Sequence, residues 1–84
     1  MDYKVEISRR ARRDLRALHV EISKRIDTHI LALANDPRPA GSQKLAGHAT
    51  YRIRVGDYRI LYEIYDKKLV VVVIRAGHRK EIYR

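Results

Sequence analysis

Arg52, Arg54 and Arg59 are the residues of this 84-residue chain whose type and spacing point most directly to chemistry. They sit in the stretch Tyr51-Arg-Ile-Arg-Val-Gly-Asp-Tyr-Arg-Ile-Leu-Tyr62. A guanidinium is a permanently charged planar fork of donors that matches two oxygens of a phosphate. Side chains alternate along a strand, so Arg52 and Arg54 share one side while Tyr51, Ile53 and Val55 share the other. Gly56-Asp57 suits a two-residue type II′ hairpin turn, with glycine in its first central position. That turn would pair Val55 with Tyr58, Arg54 with Arg59, Ile53 with Ile60, Arg52 with Leu61 and Tyr51 with Tyr62. Like charges directly opposed across two strands are destabilising. The arrangement makes sense where an anion lies between them. Spacing alone fits equally a solvated basic face whose long side chains splay apart.

The C-terminal stretch Gly77-His-Arg-Lys-Glu-Ile-Tyr-Arg84 adds candidates. His78 and Arg79 follow the last expected strand and are expected near the edge of the arginine face. Tyr83 offers a ring on which a base could stack, an interaction worth about 1–3 kcal/mol per base. A basic surface with an aromatic platform suits single-stranded RNA. The plain alternatives are a tyrosine that docks the tail on the core and a surface histidine.

Charge supports a polyanionic partner. Nineteen Lys and Arg stand against ten Asp and Glu, a formal net charge of +9. The excess is uneven: residues 1–19 carry +3, residues 20–42 are balanced, and residues 43–84 carry +6. A field of this sign and size points most simply to nucleic acid. Arg9, Arg10, Arg12, Arg13 and Arg16 form a second basic cluster, read either as a solvated helix face or as an electrostatic contact to nucleic acid. No cysteine is present, which excludes disulfides and thiolate metal sites and fits a reducing compartment. Histidines 19, 29, 48 and 78 lack ligand spacing, so no metal site is expected. The longest apolar run, Leu69 to Ile74, is far too short to cross a bilayer, and the N-terminus lacks the pattern of a secretory signal. The expectation is a soluble cytoplasmic protein.

Positioning those residues requires a small framework, and 84 residues imply one domain, 1–84. Asp2 to Ile7 alternates polar and apolar and reads as a strand. Ser8 is a good N-cap. Ala11, Leu15 and Leu18, then Ile22, Ile26, Ile30 and Leu33, keep helical spacing. One long helix or two helices broken near His19 both fit; a hairpin that folds back on a small sheet favours two. Asn35-Asp36-Pro37-Arg38-Pro39 ends the helical stretch. A loop over 36–50 leads to three strands, Tyr51–Val55, Tyr58–Tyr65 and Leu69 to about Arg75, with Asp66-Lys67 as the second turn. The expected fold is α+β: an N-terminal strand, a two-helix hairpin and a three-stranded antiparallel meander, helices on one face of the sheet.

The Tyr51–Tyr62 hairpin and the Gly77–Arg84 ending resemble the corresponding parts of RelE toxins, in the RelE/ParE superfamily of toxin–antitoxin systems. Gln43-Lys44-Leu45-Ala46-Gly47 is similar to the segment those toxins carry before the hairpin, and Lys44 is placed with the RNA-binding residues on that ground. The resemblance covers nearly the whole chain. It implies a metal-independent endoribonuclease, an mRNA interferase that binds the ribosomal decoding site. There the ribose 2′-hydroxyl attacks the adjacent phosphate, leaving a cyclic phosphate and a free 5′-hydroxyl. On this basis Arg52 and Arg54 occupy the positions of basic catalytic groups, Arg59 that of a phosphate-binding arginine, Arg79 that of an arginine assisting the leaving group, and Tyr83 that of the stacking tyrosine. The best-studied pattern has lysines at positions 52 and 54, one of them credited as general base. Arginine, with a pKa above about 12, does not accept a proton at neutral pH. Arg54 is therefore expected to act electrostatically. The proton acceptor falls to His78, whose imidazole ordinarily titrates near pH ~6.5. His48 stands in reserve, and Glu63 and Glu81 behind it.

The resemblance also implies partners: the ribosome and its mRNA, and a cognate RelB-like antitoxin with an acidic segment that folds on binding. No membrane and no small-molecule cofactor are expected. Two other functions share the fold, since fold does not fix function. One is a ParE-like poison of DNA gyrase; the other is an RNA-binding module without catalysis.

Overall fold

A computed structural model describes residues 2–47 and 49–82. The chain runs β1 (Lys4–Ile7), α1 (Arg9–Arg16), α2 (Val20–Ala32), β2 (Gln43–Lys44), β3 (Thr50–Val55), β4 (Tyr58–Tyr65), β5 (Val70–His78) and α3 (Arg79–Ile82). The expected α+β architecture is present, with α1 and α2 over one face of the sheet. The helical stretch is two helices. Ser8 caps α1, its Oγ accepting from the Ala11 N–H at 3.1 Å, and the break falls at His19, whose Nδ1 accepts from the Glu21 N–H at 3.2 Å.

The sheet has five strands in the order β1-β5-β4-β3-β2. Its middle is the expected antiparallel meander, and the hairpin register is the one expected, from Tyr51 opposite Tyr62 to Val55 opposite Tyr58. Gly56 takes φ +60°, while Asp57 keeps a negative φ, as a II′ turn requires. Six features differ from the sequence expectation. β1 starts at Lys4 rather than Asp2, and it pairs parallel to β5. The two-residue β2 is added at the far edge, and α3 at the C-terminus. β5 continues past Arg75 to His78, because a bulge opposite Leu61 and Tyr62 absorbs Ile74 and lets pairing resume. The second turn is a 3₁₀ segment over Asp66–Lys68 closed by Leu69 at φ +53°, longer than a two-residue turn.

One face of the sheet carries Ile53, Val55, Ile60, Tyr62, Val71, Val73 and Ala76, which pack with Ala11, Ile26, Ile30 and Leu33 of the helical layer into the core. Each fully buried Ile or Leu contributes roughly 2–3 kcal/mol. Beyond Ile7, β5 has no neighbouring strand on its β1 side, and α1 covers that edge. The Ser8 N–H donates to the Val73 carbonyl at 2.9 Å. Asp14 Oδ2 accepts from the Ala76 N–H at 3.1 Å and from Arg75 Nε at 2.8 Å. An edge closed in this way cannot template another strand. No helix among the described residues is long and apolar enough to cross a membrane.

Candidate nucleic-acid interface

The face opposite the helices carries the arginines. Residues directly opposed in antiparallel strands point to the same side, so Arg52, Arg54, Arg59 and Leu61 share this face, with Gly77 opposite Arg59. In a hairpin with a two-residue turn, the pair flanking the turn is hydrogen-bonded and the next pair is not. Arg54 and Arg59 are that next pair, with Cα atoms about 4.5 Å apart. Leu61 and Ile82 are buried but belong to no part of the core between sheet and helices. Ile82 Cδ1 lies 3.8 Å from where a side chain on Gly77 would begin. Thus Ile82 of α3 packs against Gly77, the residue opposite Arg59, on the arginine side of the sheet.

The three guanidinium groups have different surroundings. Arg59 is only 8 % exposed, and its Nη1 donates to the carbonyls of Gly56 at 3.0 Å and Tyr58 at 2.8 Å, so it is fastened over the turn. Arg52 donates through Nη2 to Gln43 Oε1, while its buried Nε has no acceptor, at a typical cost of about 1–3 kcal/mol. Arg54 is exposed and makes no hydrogen bond or ion pair among the described residues. Arg79 joins them at the turn. Its N–H donates to the Asp57 carbonyl at 2.8 Å and its Nε lies 3.9 Å from Asp57 Oδ1. Arg54, Arg59 and Arg79 therefore collect around the hairpin tip with Asp57 as the acidic side chain of the turn, and Arg52 stands one strand step away.

Two expected members lie elsewhere. His78 is opposite Tyr58, not Arg59, and strand alternation puts it on the helix side of the sheet. Its ring meets Tyr58 edge-on at 5.4 Å between centroids, and its Nδ1 accepts from the Lys80 N–H at 3.1 Å. The extension of β5 to His78 set this parity, and a tail leaving the sheet at Arg75 would not have. Lys44 is opposite Tyr51, while its neighbour Gln43 is opposite Arg52. Gln43, not Lys44, thus faces the arginines, since a one-residue step changes side. Glu63 does lie on the arginine side, but its Oε1 accepts from the Tyr65 hydroxyl at 2.8 Å, away from the tip. Tyr83 and His48 lie outside the described residues. Among the described residues no group of three or more His, Asp or Glu is placed to hold a metal ion.

Gln43, Asp57 and Ile82 escaped the sequence reading. Only the pairing of a two-residue strand reveals Gln43 as a holder of Arg52. Asp57 was legible as a turn residue, but its tie to Arg79 spans 22 positions and needs the β4–β5 register.

The profile of the family described as ParE toxin of type II toxin-antitoxin system, parDE, matches residues 5–83. Toxin RelG of Mycobacterium tuberculosis is 38% identical over 88 residues, spanning 100% of this chain and 99% of that protein. The mRNA interferase toxin RelE of Escherichia coli K12 is 26% identical over 87 residues, spanning 99% of this chain and 92% of that protein. In the crystal structure of the toxin–antitoxin complex RelBE2 from Mycobacterium tuberculosis, one chain superposes with a TM-score of 0.84 at 32% identity, covering 94% of this chain and 100% of that chain. Matched by the family profile over residues 5–83 and by a relative 38% identical along its whole length, this chain belongs to the RelE/ParE superfamily of type II toxins and is of the RelE type.

Proposed function

We propose that this toxin is an endoribonuclease that cuts messenger RNA in the ribosomal decoding site, by attack of a ribose 2′-hydroxyl on the neighbouring phosphate. The observation that carries the reading is the gathering of Arg54, Arg59 and Arg79 at one hairpin tip, with Arg52 on the same face. The mRNA interferase name of the Escherichia coli relative supports it. The 2′-hydroxyl gives up its proton to solvent water, its oxygen attacks to give a phosphorane with an added negative charge, and the P–O5′ bond breaks as the leaving oxygen takes a proton back from water. Fixed guanidinium donors stabilise that charge more than the single charge of the ground state, which lowers the barrier. In this reading the arginines supply the positive charge that a metal ion supplies in other nucleases. Arg59, fastened over the turn, binds the phosphate. Arg54 meets the charge that develops on it, and Arg79 faces the leaving 5′-oxygen. Tyr83 follows the α3 residue that packs on this face, and it is assigned the stacked base. His78, on the opposite side, is assigned no proton transfer. An RelB-like antitoxin is the partner, by analogy with the relatives crystallised as RelB–RelE complexes.

Expression in growing cells, followed by mapping of new 5′ ends, tests the proposal. Cuts confined to translated frames support it. Inhibition of DNA supercoiling without RNA cuts would instead favour the gyrase reading, which the ParE name of the matched family keeps in view. In programmed ribosomes, His78→Gln should leave cleavage within a few fold. A His78→Gln variant that loses cleavage while staying folded would return the proton acceptor to His78.

A further inference from the structure

Arg25 belongs to α2, in the helical layer, and is exposed. Its Nη2 nevertheless lies 3.5 Å from the point where a side chain on Gly56 would begin, against the tip of the arginine hairpin. It makes no ion pair and no hydrogen bond among the described residues. The acceptors of the turn are already taken: the Gly56 carbonyl by Arg59 and the Asp57 carbonyl by Arg79. Asp57, the acidic side chain of the turn, leans toward Arg79 at 3.9 Å. Four guanidinium groups, those of Arg25, Arg54, Arg59 and Arg79, thus ring a turn that offers one carboxylate. Such an excess of like charge raises the energy of the free protein and is relieved by a bound polyanion.

We propose that Arg25 is a further RNA-binding residue, and that the substrate strand passes over the hairpin tip from the arginine face toward the helix side, so that Arg25 holds the phosphate next along from the one held by Arg59. This rests on the RNA-cleaving reading above. Successive phosphates of an extended strand lie roughly 6–7 Å apart, close to the spacing of two residues along a strand, so a chain that crosses the two-residue turn presents its next phosphate on the far side of Gly56. Arg25 would contribute to binding and not to the chemical step, because it stands across the turn from the Arg54–Arg59 pair.

The test uses the whole toxin and a fluorescent single-stranded RNA oligonucleotide made uncleavable by 2′-O-methylation, with affinity measured over a range of salt. Arg25→Gln should weaken binding about tenfold, the worth of one charge-assisted hydrogen bond, and lower the salt slope by about 0.7, the share of one phosphate on a single strand. Arg25→Lys should restore most of both. In programmed ribosomes Arg25→Gln should raise the half-saturating ribosome concentration and leave the single-turnover rate at saturation unchanged. Lys24→Gln removes the same charge from the neighbouring position of α2 and should do neither. If Lys24→Gln and Arg25→Gln behave alike, the effect is the general field of the protein and the assignment fails. It fails equally if Arg25→Gln binds and cuts like the parent. A parent toxin that cuts no RNA at all would instead sink the nuclease reading on which the proposal rests.

Discussion

The two ends of β4 treat arginine in opposite ways. At its C-terminal end Arg38 reaches Asp66 through both Nη atoms, at 3.1 and 2.8 Å, donates through Nε to the Tyr51 hydroxyl at 3.3 Å, and lies over the Tyr51 ring at 5.4 Å. Tyr3 adds a 2.6 Å bond from its hydroxyl to Asp66. The loop after α2, the 3₁₀ turn, β3 and the start of the chain are tied together there. Arg38 and Tyr3 hold the Asp66 carboxyl down to about 2. About 20 Å away along the strand, Arg54 and Arg59 face each other with no carboxylate between them. The same side chain serves as a structural fastener where a carboxylate and an aromatic ring match it. Where neither is supplied, Arg59 turns to the carbonyls of its own hairpin and Arg54 keeps no partner among the described residues, the arrangement proposed above to meet a phosphate.

Exchanging roles at the two ends breaks or sharpens that contrast. The largest effect is expected at the hairpin: Arg54→Gln should slow cleavage about 10²–10³-fold, the loss typical of one donor to a developing oxyanion. The same change removes a like-charge pair and should raise unfolding stability by up to about 1 kcal/mol, read from urea denaturation. Arg38→Gln should do the reverse, sparing the cleavage rate and lowering the melting temperature. If both variants lose activity equally, the two ends do not differ in kind.

A middle-sized effect is expected at Tyr62, which is fully buried and donates to the Pro37 carbonyl at 2.7 Å. Tyr62→Phe should cost about 1–2 kcal/mol, a melting-point drop of several degrees in a domain of this size. Burial pushes the Tyr62 phenol up to about 12. The folded state therefore holds that proton more tightly than the unfolded chain, whose phenols ionise near 10. Its contribution is complete below pH 10 and is lost as pH rises from 10 to about 12. Tyr62→Phe should remove that part of the alkaline loss. A variant and parent that decline in parallel above pH 10 would show that Tyr62 is not responsible.

The smallest effect belongs to Asp66. With its carboxyl held at about 2 against an ordinary value of 3.8, its stabilising share is present above pH 4 and lost as pH falls through 2. Asp66→Asn should flatten the stability curve between pH 4 and pH 2 and leave it unchanged in shape at neutral pH. Exposure and salt screening keep the amplitude modest. An unaltered acid limb in the variant would assign the loss to other carboxylates.

Local rules were enough for much of this molecule. The period of the apolar residues, the N-cap at Ser8, the break at His19 and the glycine in the turn act over a few residues, so the helices, the hairpin and its register were legible without coordinates. The shared side of Arg52, Arg54 and Arg59 followed from the same register. Lys44 and His78 were misplaced because one residue of register reverses the side a strand residue faces, and their registers depend on partners far away in sequence. A bulge at Ile74 and a two-residue strand at Gln43–Lys44 carry no strong local signal.

What the sequence determined by itself, then, is the charged hairpin, because a two-residue turn and strand alternation are properties of neighbouring residues. Tertiary structure alone decided how that hairpin is furnished: Gln43 on Arg52, Asp57 on Arg79, Ile82 against Gly77, and Arg25 at the tip. Those contacts join residues 5 to 31 positions apart in the chain, across different elements. Their energies come from packing and pairing that exist only once the sheet has closed.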